Sequence, residues 1–491
     1  MEGSRENMKK IKQVFTYLNS LSPAAKASFW FVVSNIMLKG ISFITTPIFT
    51  RVLNVADYGT TSVFVTWESV ISIFATLSLS GGVYNVAMTK YEDDINGFTS
   101  SMIGLTALAS SAVYCVCIII NYCMPSLFQL NNSFLIYMWI QTFTNATVSF
   151  WLMQKRFQYK YKSVISYTFL NAILSPIMAI VMITIFREDK AYAKVIGAGL
   201  VGIVFGLYMM LRMLIKGKKI YNKQYWVYAL KFNIPLIPHY LSTILMNSSD
   251  RLMINNMCGS EYAGIYSIAN SITGLISIVT QAINHSLIPF TLQSIKKRTI
   301  HKLYKVVLGC TVLVSVICIF VILFAREGVL LFATEEYIDA VWFIGPLAFS
   351  TQMIFVSGLV GNIIFYYEKT KSMSVITMTC AAVNIITNII GIKVFGYIAA
   401  GYTTLLSSFL NMILYYICAK KVEKEIKEIV NLKWLFMVFA VFVVFMIYGM
   451  IFNENLIMKL LLVFVILVLG LCFRKRVIAI LKVIFGAKKE G

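Results

Sequence analysis

The sequence predicts an all-α polytopic membrane protein: about 14 transmembrane helices, arranged as two pseudo-symmetric six-helix lobes followed by two C-terminal helices. Composition, the placing of positive charge and an internal repeat carry that expectation. The 491 residues are 59% hydrophobic and 13% charged, with a mean hydropathy of +0.78. Soluble domains carry roughly 25% charged residues. About 20 largely apolar residues suffice to cross a bilayer as a helix. Such stretches lie at about 27–49, 59–81, 100–121, 133–153, 164–186, 194–215, 232–256, 262–284, 304–325, 341–366, 373–394, 398–419, 434–452 and 458–473. The opening MEGSRENMKKIKQVF lacks the apolar core and small-residue cleavage site of a signal peptide.

The formal charge of +22 invites a nucleic-acid reading, which the positions of the charges exclude. Lys and Arg cluster in alternate connections: the tail to Lys26, then 82–99, 154–163, 212–231, 285–305, 367–372, 420–433 and 474–491. On the opposite side stand Arg51, Arg187, Lys190, Lys194, Arg326, Lys393 and Lys459, and within spans Lys39 and Arg251. Cytoplasmic connections are the basic ones, so both termini are expected in the cytoplasm. The segments 420–430 and 474–489 mix basic and apolar residues as surface helices on anionic lipid do. The nine cysteines lie mostly in apolar stretches without metal spacing and read as small apolar packing residues.

The repeat supplies the lobes. Asn54-Val55-Ala56-Asp57-Tyr58-Gly59 follows the first span and Gly259-Ser260-Glu261-Tyr262-Ala263-Gly264 the seventh. Val195-Ile196-Gly197-Ala198-Gly199 and Ile398-Ala399-Ala400-Gly401-Tyr402 match at nearly the same offset. The expected organisation is a tail (1–26), an N-lobe (27–215), a linker (216–231), a C-lobe (232–419), two further helices with a preceding surface helix (420–473), and a basic tail (474–491). Six helices per lobe, an even number, give both lobes one orientation, as in transporters with parallel repeats.

Polar stripes mark the helices that open each repeat. Residues at i, i+4, i+7 and i+11 share a helix face. Such sets are Asn35, Lys39, Ser42 and Thr46; Thr61, Glu68, Ser72 and Thr76; His239, Thr243, Asn247 and Asp250; Asn270, Thr273, Ser277, Gln281 and Asn284; and Thr377, Asn384 and Asn388. Interhelical hydrogen bonds, about 0.6 kcal/mol each, account for isolated Ser and Thr. They do not account for Lys39, Glu68, Asp250 and Arg251, since a charge at mid-membrane costs roughly 2.5–3.5 kcal/mol on insertion scales. Lys39 and Glu68 are expected to face a water-filled cavity shared with Asp250. Arg251, about 100° round the helix from Asp250, faces either the cavity or the outer interface. Pro47 and Pro176 are expected to kink their helices, and Pro235 and Pro238 to open the seventh.

Soluble-enzyme motifs fail. Gly197-Ala198-Gly199-Leu200-Val201-Gly202 fits GxGxxG but lacks the strand such a motif needs, and Gly202 and Gly206 read as close helix packing. There is no Walker loop, and His239, His285 and His301 form no metal spacing.

The stretch Ile44-Thr45-Thr46-Pro47-Ile48-Phe49-Thr50-Arg51-Val52-Leu53 with Asp57-Tyr58-Gly59 resembles the opening of the Wzx-type oligosaccharide flippases of the multidrug/oligosaccharidyl-lipid/polysaccharide (MOP) exporter superfamily. So do Ser249-Asp250-Arg251-Leu252-Met253-Ile254, Gly259 with Ala263-Gly264-Ile265-Tyr266-Ser267, and the small-residue helix starts Gly197-Ala198-Gly199 and Ala399-Ala400-Gly401. Lys90-Tyr91 departs from the family's Arg-Tyr, keeping the charge but not the fork. The resemblance implies alternating access without enzymatic chemistry or cofactors, in a bacterial cytoplasmic membrane. Its implied substrate is an undecaprenyl-diphosphate-linked oligosaccharide for capsule, O-antigen or exopolysaccharide assembly. Implied partners are membrane lipids, protons or sodium ions, and polysaccharide polymerase machinery. On this reading Lys39, Arg51 and Arg251 meet the diphosphate. Asn270, Gln281 and Asn284 meet sugar hydroxyls, and Glu68 and Asp250 couple the ion. A multidrug cation antiporter of the same superfamily is the alternative, disfavoured by the mixed charges of the stripes. A membrane glycosyltransferase or polymerase is disfavoured by the short outer connections, the longest being about 326–340.

Overall fold

The computed structural model describes residues 23–463 save 159, 368, 424–431 and 453. Among these the chain is helical, without strands. In order the helices are α1 (Pro23–Val52), α2 (Val55–Ala75), α3 (Val83–Lys90), α4 (Ile95–Cys123), α5 (Pro125–Phe128), α6 (Asn132–Phe157), α7 (Tyr161–Ile185), α8 (Lys190–Gly217), α9 (Lys223–Asn233), α10 (Ile237–Cys258), α11 (Ser260–Lys296), α12 (Ile300–Leu323), α13 (Ala325–Phe332), α14 (Val341–Tyr366), α15 (Thr370–Phe395), α16 (Ala399–Val422) and α17 (Leu432–Ile451). Long helices occupy thirteen of the fourteen predicted spans, and most of the fourteenth, with the tail 474–491 and the segment 424–430, lies outside the described residues. Among the described residues eight helices are long and apolar enough to cross a membrane, so the chain is an all-α, multi-pass membrane protein.

Pro47, Pro176 and Pro346 stand inside α1, α7 and α14. Pro235 sits in a 3-10 turn, Ile234–Leu236, and Pro238 in the first turn of α10, where a missing N–H costs nothing. The second predicted span ends early. After α2, Leu77 and Ser78 take positive φ (49° and 47°) and the chain turns before α3.

The chain forms two compact units. The first comprises Met1–Ile48 with Trp67–Tyr240. Its core gathers Leu79, Tyr84, Phe98, Met102, Phe150 and Met213. Tyr84, Thr99 and Gln154 satisfy one another there: Tyr84 and Thr99 hydroxyls lie 2.6 Å apart, and Gln154 Nε2 donates to Thr99 at 2.7 Å. The linker helix α9 is fastened to this unit. Asn233 Oδ1 accepts from Val83 N at 2.9 Å while its Nδ2 donates to the Leu77 carbonyl at 2.8 Å. Lys90, whose place the family pattern gives to Arg, stands 3.9 Å from the Tyr228 ring centroid as a cation–π partner. Close packing explains two of the glycines. A Cβ on Gly197 would lie 2.5 Å from Ala179 Cα, and one on Gly206 2.8 Å from the Thr144 carbonyl. The Gly197–Gly199 stretch lies well inside α8 rather than at its start.

The second unit comprises Phe49–Thr66 with Leu241–Gly491. α14 runs through its centre, with most of its side chains buried. A helix apolar all round belongs in such a core. Phe349 on α14 stacks on Phe442 of α17 with centroids 4.5 Å apart. The matched repeat segments meet in this unit. α2 starts behind Asn54, whose Oδ1 accepts from Asp57 N at 2.7 Å, and α11 starts behind Gly259. They cross at glycines: a Cβ on Gly59 would lie 1.7 Å from the Ser260 carbonyl oxygen, and one on Gly264 2.5 Å from that of Val55. Thr50 Oγ1 donates to the Phe332 carbonyl at 2.7 Å, and Tyr58 meets Tyr337 edge to face.

Lys459, fully buried, pairs with Glu327 at 2.8 Å and ties the chain beyond α17 to α13. Removing one partner of a buried pair strands the other charge. Glu327 is 38% exposed, so Glu327→Ala is expected to cost about 1–2 kcal/mol, less than a fully buried pair would. Thermal unfolding in detergent checks this, and Lys459→Met, which removes the stranded charge, is expected to lose less.

Candidate functional site

Asp250 sits on α10 and is 3% exposed. Its partners come from three other helices. Tyr266 of α11 donates to Oδ2 at 2.6 Å and Thr404 of α16 to the same oxygen at 2.8 Å. Asn388 of α15 donates to Oδ1 at 2.6 Å. A further ring supports these groups. Asn384 Oδ1 accepts from Ser249 and from Asn388, both at 3.2 Å, its amide donates to Ser407 at 3.2 Å, and Thr403 donates to Asn388 Oδ1. The i, i+4 spacing of Asn384 and Asn388 places both on one face of α15, as the stripe predicts.

The hydrogen-bond donors to this carboxylate are neutral, the charge of the neighbouring Arg251 acts on it, and among the described residues it forms no ion pair within 4 Å. A buried anion of this kind is costly unless a proton or cation neutralises it. The surrounding oxygens, from carboxylate, amide and hydroxyl, are hard donors of the sort that suit a small hard cation. The expectation that Asp250 lines an open cavity is corrected: its carboxylate is enclosed by hydrogen-bond donors inside the second unit. Ser249 and Asp250 of α10 and Asn384 and Asn388 of α15 turn into the protein because lipid offers them no partner.

In the first unit Glu68, half-buried on α2, accepts from Gln141 Nε2 at 3.1 Å and from Asn145 Nδ2 at 3.4 Å, both on α6. Gln141 Oε1 is buried and, among the described residues, finds no hydrogen-bond donor. The neighbouring α8 leaves room only because it carries glycine. A Cβ on Gly199 would lie 2.2 Å from the Tyr137 hydroxyl and 2.7 Å from Gln141 Oε1.

Of the other expected site residues, Arg251 adjoins the Asp250 cluster, where its charge acts on Asp250 and Tyr266. Arg51 is exposed at the end of α1 and reaches the Leu331 carbonyl at 3.5 Å. Arg251 is half-buried, with its Nε enclosed and unpaired. Asn270 is half-buried and Gln281 exposed on α11. Asn284 accepts from Asn362 at 2.9 Å, on α14. Lys39 lies on α1, its side chain and that of His239 outside what the structure describes. Gln141, Asn145, Tyr266, Thr403 and Thr404 are members of these two clusters that the stripes omit. Gln141 and Asn145 carry a signal, two amides at i, i+4 in an apolar span.

The fold defines a multi-pass helical membrane protein. It is similar to the inward-facing conformation of a multidrug resistance MATE family transporter of the MOP superfamily, with a TM-score of 0.55 and 12% identity, over 78% of this chain and 93% of that one. It is also similar to the lipid II flippase MurJ in an inward closed conformation, with a TM-score of 0.54 and 14% identity, over 91% and 99%. The family model described as polysaccharide biosynthesis protein matches residues 24–295, more than half of the sequence, and the chain belongs to that family. Protein 1 of the Lsg locus of Haemophilus influenzae is 22% identical over 359 residues, 71% of this chain and 86% of that protein.

Proposed function

We propose that this protein is a flippase that moves undecaprenyl-diphosphate-linked oligosaccharide units from the inner to the outer leaflet of a bacterial cytoplasmic membrane, by ion- or potential-driven alternating access, for capsule, O-antigen or exopolysaccharide assembly. Membership of the polysaccharide biosynthesis family is the observation that carries it. On this reading both termini are cytoplasmic, the lobes are 27–215 and 232–419, and the product passes to polymerase machinery. Asp250, with Asn384, Asn388, Thr403 and Thr404, would hold the coupling cation, a proton or a sodium ion, and Glu68 would be a second coupling group. The cation's chemistry is charge neutralisation of a buried carboxylate. Lys39, Arg51 and Arg251 would serve the diphosphate, and Asn270, Gln281 and Asn284 the sugars.

The test is reconstitution into liposomes carrying a labelled undecaprenyl-diphosphate oligosaccharide, with proton or sodium gradients imposed. Wild-type protein is expected to move the label, and Glu68→Gln to slow it at least about tenfold, the equivalent of ~1.4 kcal/mol in the barrier. Export of cationic drugs without oligosaccharide movement would replace the proposal with a multidrug antiporter.

A further inference from the structure

The first unit carries, at the basic ends of α6, α7 and α8, a group of cations with no part in the acid clusters. Lys155 ends α6, Lys160 precedes α7, and Arg212 and Lys216 occupy the last turns of α8. Lys160, Arg212 and Lys216 are exposed and Lys155 is half-buried. Lys155 lies outside the expected spans. Partial burial, and then the charges of Lys160, Arg212 and Lys216, hold its ammonium below the usual lysine range. Among the described residues none of the four forms an ion pair within 4 Å.

Two features beside these cations belong to a bilayer interface. Just inside them, Trp151, Tyr167 and Phe205 meet across the same three helices, Tyr167 stacked on Phe205 at 4.2 Å and Trp151 edge-on to Phe205 at 5.2 Å between centroids. Lys155 Nζ stands 5.9 Å from the Trp151 ring. Aromatic side chains gather where hydrocarbon gives way to headgroups. The exposed face of α8 then runs without a break from apolar to basic: Val204, Tyr208, Leu211 and Ile215 are exposed, and Arg212 and Lys216 share their face at helical spacing. A molecule seated here would lay a chain along the apolar stripe and bring an anion to the cations.

We propose that the feet of α6, α7 and α8 form a binding site for one anionic phospholipid, its acyl chain along α8 and its phosphate held by Lys155, Lys160, Arg212 and Lys216. Basic recesses between transmembrane helices take lipid headgroups of this kind. The like charges explain why a ligand is needed: four cations gathered at the ends of three helices repel one another until an anion joins them.

Native mass spectrometry of the whole detergent-solubilised protein, titrated separately with phosphatidylglycerol, phosphatidylcholine and undecaprenyl diphosphate, tests this. Phosphatidylglycerol is expected to bind at least about tenfold more tightly than phosphatidylcholine, and Lys155→Gln/Arg212→Gln/Lys216→Gln to remove that preference. Lys420→Gln/Lys421→Gln, at the end of α16, is expected to keep it. Equal affinity for the two phospholipids, an unchanged preference in the triple variant, or equal loss in the α16 variant would each overturn the proposal. Retention of undecaprenyl diphosphate but not phosphatidylglycerol would overturn it too, and assign the cations to a lipid diphosphate. Should the triple variant fail to fold, Arg212→Gln alone, at an exposed position, is expected to weaken phosphatidylglycerol binding severalfold, and no change there would count against the site.

Discussion

Asp250→Asn is expected to abolish gradient-driven transport while leaving the protein at least as resistant to heat as wild type. The two outcomes have one cause. A carboxylate that is 3% exposed and held by the neutral donors of Tyr266, Thr404 and Asn388 must carry a proton or a cation to be neutral. Asparagine is neutral at the same size, so the folded state no longer bears the cost of a buried anion, and the cation loses the only charge that would draw it in. A coupling charge lost from the pocket predicts a fall in gradient-dependent rate of about 100-fold or more, at ~1.4 kcal/mol per tenfold. Asp250→Glu keeps the charge but adds a methylene to a closed pocket, so it is expected to lose heat stability and retain some coupling. Rates with imposed proton or sodium gradients, set beside unfolding temperatures, separate these effects. Should Asp250→Asn transport at the wild-type rate with the same gradient dependence, the pocket is structural and coupling lies elsewhere.

The acid itself is legible in the sequence because a charge inside an apolar span stands out, and Asn384 and Asn388 are legible because their spacing repeats a helix turn. Tyr266 and Thr404 are not. Tyrosine and threonine are ordinary in apolar helices, and they meet Asp250 across 16 and 154 residues of chain. Nothing in local periodicity encodes which helices become neighbours. For the same reason Glu68 is conspicuous while its partners Gln141 and Asn145 are not, although their own i, i+4 spacing marks a polar face. The expectation of an open cavity around Asp250 fails because a polar stripe says only that a face avoids lipid. Water and a pocket of hydroxyls and amides satisfy that requirement equally.

The glycines of the repeat show the same limit, and they carry the second large effect. Read along the chain, Gly59 and Gly264 are matching letters in two similar segments. In the fold they are each other's reason, since α2 and α11 approach so closely that either helix with a side chain there would strike the other's backbone. Gly59→Ala would set a methyl 1.7 Å from the Ser260 carbonyl oxygen, and Gly264→Ala one 2.5 Å from that of Val55. A backbone oxygen cannot rotate aside as a side chain can, so the helices must separate. Each substitution is expected to cost about 3 kcal/mol, the upper part of the range for overpacking. Gly274→Ala provides the contrast on the same helix α11. Nothing lies within 4 Å of its Cβ, so it is expected to stabilise by up to ~1 kcal/mol through helix propensity alone. The Gly59→Ala/Gly264→Ala double variant should lose less than the two single losses added, because the first methyl already opens the crossing that the second would clash with. Unfolding temperatures of the four proteins decide it. Additive losses would mean that the glycines act at independent contacts, and an unaltered Gly59→Ala would mean that the crossing is looser than its geometry states.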